Sequence, residues 1–169
     1  CDALVTSDLQ LTLGLLTADC LPVVFHDPSQ AIVALAHCGW AGTHAHLAAK
    51  VVDVFLGRGG KAEDIRVHIG PSIKKESYIV SEEKLSQKND PAWQLFLTKG
   101  DSGWHVDLVG YVVAQLKEKG VPDAHVSVSD VDTYADTHYF SHKRAGETGE
   151  HDGRILTCVS LIKESTILQ

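Results

Sequence analysis

The first third of the chain alternates short apolar runs with turn formers. The runs are Ala3 to Thr6, Leu11 to Leu16, Leu21 to His26 and Ala31 to His37, and the breaks are Ser7-Asp8, Thr17-Ala18-Asp19 and Asp27-Pro28-Ser29. Asp, Ser and Thr side chains hydrogen-bond their own backbone in turns, so the runs read as buried strands. Asp27-Pro28 between two of them predicts a hairpin. After Gly39-Trp40-Ala41-Gly42 the period lengthens: Leu47, Val51, Val52, Phe55 and Leu56 form a helical stripe, with Thr43 as its expected N-cap and Gly57, Gly59 and Gly60 as its stop.

Ile65 to Ile69 returns to strand period, and Gly70-Pro71-Ser72 opens an irregular stretch through Tyr78. Shorter helices are expected at Glu82 to Gln87 and Pro91 to Leu97. A clearer one starts at Asp107, carries Leu108, Val112 and Leu116 on one face and ends at Gly120. Val126 to Val128, Tyr139 to His142 and Ile155 to Ile162 are the last expected strands. Strands mixed with helices in this order predict α/β or α+β layering, with hairpin-joined strands rather than a purely parallel sheet.

At 169 residues and 44% hydrophobic content the chain suits one domain with a sizeable core. No apolar run approaches the length of a membrane span. A net charge of -7 without a cluster of basic residues argues against a nucleic-acid partner. Cys1, Cys20, Cys38 and Cys158 are expected to be free thiols in a reducing cytoplasm, because the chain is neither short nor secretory in character. Ten histidines give the first compositional sign of chemistry, since histidine is the commonest metal ligand and titrates near neutrality.

Two positions draw attention together. Cys20, in Thr17-Ala18-Asp19-Cys20-Leu21-Pro22, sits at the mouth of a turn just before a strand. His37, in Ala36-His37-Cys38-Gly39-Trp40-Ala41-Gly42, ends a strand beside two glycines that permit close approach. Taken singly, each is as readily a core residue, for a lone cysteine usually packs as a small hydrophobe. An antiparallel hairpin brings its two ends side by side, however, and a thiolate and an imidazole so placed can bind zinc or copper, or act as nucleophile and base. His44 and His46 are the nearest local candidates for a third ligand, but their spacing directs them to different helix faces. Asp19, Ser72 and Arg144 are candidate substrate contacts; the guanidinium fork matches tetrahedral oxyanions such as phosphate.

These motifs resemble the multi-copper polyphenol oxidoreductase, or laccase-domain, family, also described as purine nucleoside phosphorylases of the YfiH type. The similar segments are Thr17-Ala18-Asp19-Cys20-Leu21-Pro22, the hairpin, and Ala36-His37 followed by Gly39-Trp40 and Gly42. Further on come Ile69-Gly70-Pro71-Ser72-Ile73, Trp104-His105-Val106-Asp107-Leu108, Thr133-Tyr134, Phe140-Ser141-His142-Lys143-Arg144 and Gly153-Arg154. Ala41 stands where the family usually has arginine. The resemblance implies a layered α-β-β-α sandwich with mixed sheets. It also implies a metal site, zinc or alternatively copper, with Cys20 and His37 as ligands and catalytic centre. The family's remaining ligand is a histidine in an upstream Gln-Val-His segment, which this sequence lacks, as it begins about where the family's second half does.

The activity implied is phosphorolysis of purine nucleosides with phosphate, together with adenosine deamination. The alternatives are copper-dependent oxidation of phenols, or a catalytically impaired binding domain. The sequence leaves the oligomeric state open.

Overall fold

The computed structural model describes residues 2–85 and 89–162. Cys1, and the Gln87 end of the helix expected from Glu82, lie outside the described residues. Strands β1 (Ala3–Thr6), β2 (Thr12–Thr17), β3 (Leu21–Asp27) and β4 (Ile32–Cys38) occupy the four expected positions. They are followed by α1 (Trp40–His44), α2 (Leu47–Gly57), β5 (Arg66–Ile69), β6 (Ile79–Val80), β7 (Leu97–Gly100) and β8 (Gly103–Val106). The remaining elements are α3 (Leu108–Glu118), β9 (Val126–Val128), α4 (His142–Thr148) and β10 (Ile155–Ser160).

Five strands make a mixed sheet in the order β1-β4-β3-β5-β9, antiparallel throughout except for the β5–β9 pair. The hairpin at Asp27-Pro28 is present, and the Asp27 carboxylate caps its turn through the Ser29 and Gln30 N–H groups. Because successive strand residues face opposite ways, β4 buries two surfaces. Ile32, Ala34, Ala36 and Cys38 join the main core with Val51, Val52 and Phe55 of α2 and Val112 and Leu116 of α3. Val33 and Leu35 face the other way, against Leu13 and Leu161, where the two-stranded β2–β10 sheet packs. The expected α/β layering of helices and mixed sheets is therefore present.

Four local expectations change. Thr43 does not cap the long helix: it lies inside α1, fully buried, with its hydroxyl donating to the Cys38 carbonyl at 3.3 Å. The break falls at His46, whose left-handed backbone (φ 57°) separates α1 from α2. Glu82–Lys84 and Pro91–Phe96 form tight 3-10 turns, and Leu97 begins a strand instead of ending a helix. Tyr139 to Ser141 is a loop, and His142 starts α4 because the Ser141 hydroxyl accepts the Arg144 N–H at 3.1 Å as an N-cap. By contrast, Asp107 caps α3 as expected, accepting the Gly110 N–H at 2.7 Å.

Candidate active site

The hairpin register places Pro22 opposite His37 and Leu21 opposite Cys38, so Cys20 and His37 flank the open end of the β3–β4 pair. Gly39 records how close they come. A Cβ on Gly39 would stand 2.7 Å from Cys20 Sγ and 3.5 Å from His37 Nε2. Both side chains thus converge on a space that only glycine leaves open. Gly42 is constrained in the same way by backbone, since a Cβ there would lie 2.7 Å from the His37 carbonyl oxygen. His37 is tied to the residue before β1: its backbone N–H donates to the Asp2 carbonyl at 2.8 Å, and its Nδ1 lies 3.8 Å from the Asp2 carboxylate.

Asp19 holds the turn that presents Cys20. Its backbone is left-handed (φ 78°), a region that Asp enters more readily than most residues. The carboxylate, 8% exposed, accepts the Thr133 hydroxyl at 2.8 Å, the Ser141 hydroxyl at 3.0 Å and the Lys143 N–H at 2.8 Å. Three donors on one buried carboxylate satisfy its charge. The Asp19 carbonyl accepts the Ile73 N–H at 2.9 Å, so the turn is also tied to the segment after β5.

Over this centre opens a cleft of about 570 Å³ whose walls include Cys20, Trp40, Ile73, Tyr78, Leu108 and His142. Trp40 and Tyr78 meet edge-on with ring centroids 6.3 Å apart, and Trp40 stacks on the buried Trp93 at 5.1 Å. Burial pushes the Cys20 thiol up, with the Asp19 charge adding to it and Arg154 opposing. Burial, followed by the nearby Cys20 and Asp19 charges, pushes the Tyr78 phenol up to about 12. Cys20 therefore carries its proton at neutral pH unless a cation displaces it.

The structure brings Cys20, His37 and Asp19 together but places the other two candidates elsewhere. Ser72 is fully buried behind Ile73, its carbonyl accepting the Thr133 N–H at 3.2 Å. Arg144 turns into its own loop. Nη1 donates to the Thr133 and Tyr134 carbonyls at 2.7 and 2.8 Å, Nη2 to the Tyr139 carbonyl at 2.6 Å, and Nε to Glu150 at 2.7 Å. His44 and His46 are engaged outside the cleft, accepting from Trp93 Nε1 at 3.2 Å and lying 3.4 Å from the Tyr111 hydroxyl. Cys20, Cys38 and Cys158 are free thiols. The wall residues Trp40, Tyr78 and His142 were not singled out as site residues by sequence. Trp40 and His142 lay inside the family-like motifs, whereas Tyr78 only closed the irregular stretch after Gly70-Pro71-Ser72.

A model of the multi-copper polyphenol oxidoreductase laccase family matches residues 1–161. The chain belongs to this family. Among its relatives, a purine nucleoside phosphorylase of Deinococcus radiodurans is 34% identical over 149 residues, covering 88% of this chain and 58% of the relative. A protein of an unknown prokaryote named adenosine deaminase RL5 is 32% identical, covering 86% of this chain and 57% of its own length. The crystal structure of YlmD from Geobacillus stearothermophilus superposes with a TM-score of 0.85 at 32% identity, covering 96% of this chain and 61% of YlmD. The chain thus spans about three-fifths of the length of these laccase-family relatives.

Family membership implies a metal, and the Gly39 space tests the fit. A soft thiol and an imidazole converging on one open volume suit two positions of a zinc or copper site. Among the described residues no group of three His, Cys, Asp or Glu side chains converges to complete one.

Proposed function

We propose that this chain carries the reactive half-site of a metal-dependent purine nucleoside phosphorylase, which cleaves inosine or adenosine with phosphate and deaminates adenosine as a companion reaction. The observation that carries this reading is the meeting of Cys20 Sγ and His37 Nε2 at Gly39, with Cys20 also lining an aromatic-walled cleft. Relatives named purine nucleoside phosphorylase and adenosine deaminase support it.

The cleft suits the substrate class. Trp40, Tyr78, Ile73 and Leu108 give an apolar, aromatic lining for a purine ring, and stacking on an aromatic face favours a planar base. Cys20 and His37 would hold a zinc ion, which supplies Lewis-acid polarisation of a water or ribose oxygen. Asp2 lies beside His37 and accepts its backbone N–H, and Asp19 fixes the Cys20 turn. Within this reading Asp19 acts on substrate contacts by placing the 141–143 segment at the cleft. The free thiols fit a cytoplasmic setting; among the described residues no helix is long and apolar enough to cross a membrane.

The family's description favours a second reading, copper-dependent oxidation of phenols at the same two donors. Measuring base release from inosine and adenosine, with and without phosphate, separates the two. Release that needs phosphate and falls at least about a hundredfold in Cys20→Ala supports phosphorolysis. Copper-dependent oxygen uptake with a phenol and no base release overturns it in favour of oxidation. Neither activity in folded protein points to a domain kept for binding alone.

A further inference from the structure

His142 is held more firmly than its exposed position suggests. Both of its chain neighbours are bound to the Asp19 carboxylate, Ser141 through its hydroxyl at 3.0 Å and Lys143 through its N–H at 2.8 Å. That grip sets the imidazole in the wall of the cleft that also holds Cys20, Trp40 and Tyr78. Its Nδ1 lies 3.0 Å from Asp152 Oδ2, and Asp152 is gripped in turn by Arg154, whose Nη1 donates to Oδ1 at 2.5 Å. Nε2 has no partner among the described residues. A histidine with one ring nitrogen on a carboxylate and the other free at a cleft is built to carry and pass a proton.

The neighbouring groups have other engagements. Lys143 Nζ pairs with Glu147 and lies 4.9 Å from the Tyr134 ring centroid. Arg144 is bound to three carbonyls and Glu150. His37 Nε2 faces Cys20 across the Gly39 space. Half-buried Tyr78 has its phenol pushed up to about 12, well above neutral pH.

We propose that His142, oriented by Asp152, is the general acid that protonates the departing purine. This rests on the phosphorolysis reading above. An oxygen of the phosphate dianion bonds to ribose C1′ while the C1′–N9 bond breaks and its electron pair passes to the base. The proton on His142 Nε2 moves to purine N7, so the base leaves neutral. The imidazole regains a proton from the new sugar phosphate monoester, which departs as the dianion, and Asp152 stays ionised throughout. Asp152 is a positioning residue in this scheme, and Arg154 positions Asp152.

The test compares inosine with 7-methylinosine, whose base already carries the positive charge at N7 and leaves without an acid. His142→Gln is expected to lower kcat on inosine by about a hundredfold or more, within the range for losing a general acid, while kcat on 7-methylinosine stays within about threefold. Asp152→Asn is expected to give a smaller loss with the same selectivity. Equal losses on both substrates, or no loss on inosine, would overturn the acid role and leave phosphorolysis standing. A wild-type chain that releases base from neither nucleoside with phosphate would overturn the phosphorolysis reading itself, and the acid role with it.

Discussion

The Asp19 carboxylate accepts the backbone N–H of Lys143 at 2.8 Å across 124 positions of sequence. Two hydroxyls share the carboxylate, so one buried charge joins the Cys20 turn to the start of α4.

Asp19→Asn should therefore damage more than one bond. The amide can accept one donor through its oxygen, but its NH2 group then faces the Ser141 hydroxyl and the Lys143 N–H, which already donate. A buried donor left facing a donor costs about 1–3 kcal/mol, and a network of charged bonds raises that cost. Urea denaturation is expected to show a loss of about 3 kcal/mol. An unchanged midpoint would mean that the 133–143 segment is held in place by something else.

Gly39→Ala probes the proposed metal half-site without replacing either donor. The added methyl would stand 2.7 Å from Cys20 Sγ, inside contact distance. Zinc affinity, measured by competition with a chromogenic chelator, should drop about tenfold or more, comparable to disturbing the surroundings of a metal ligand. Stoichiometric zinc held equally well by wild type, Gly39→Ala and Cys20→Ala would show that the metal binds elsewhere.

Arg144 behaves as a clasp in this geometry. Its guanidinium serves three carbonyls of the 133–139 loop while its side chain stays only 12% exposed. Arg144→Met should lower stability by about 3 kcal/mol, since charge-assisted bonds of this type each contribute roughly 1.5–3 kcal/mol and carbonyls are left unpaired. A selective rise in KM for phosphate with unchanged thermal stability would instead make Arg144 a substrate ligand.

The buried groups also fix how stability responds to alkali. Burial pushes the Cys38 thiol up to about 12 and the Tyr78 phenol to about the same value. In both cases the folded state favours the protonated form. The stability they contribute is complete below the unfolded thiol and phenol values of about 8.5 and 10, and is lost as pH climbs towards 12. Thermal melts should shift down from about pH 9 upward, and Cys38→Ala should flatten the first part of that slope.

Much of the frame was legible because its physics is local. Apolar runs bounded by turn formers located β1 to β4, and the hairpin alone was enough to pair Cys20 with His37. The β7–β8 hairpin was missed because Thr98 and Lys99 are exposed and leave no alternating apolar signal. Tyr139 to His142 reads as strand by residue type, yet Ser141 caps a helix and its hydroxyl is drawn to Asp19. Arg144 looked like an anion ligand because side-chain chemistry is visible in sequence, whereas the loop carbonyls that engage it are not. His142 was overlooked for the same reason: its partner Asp152 and its place beside Cys20 exist only once distant segments meet.

The Asp19 bonds reach residues 114, 122 and 124 positions away. Contacts of such long separation form late, because the chain must close a large loop before they return any free energy. The β3–β4 hairpin that carries Cys20 and His37 closes over a short turn and needs no such wait. On this reasoning the two proposed metal donors come together before the wall that carries His142, and an ion captured early would be enclosed by the last segment to dock.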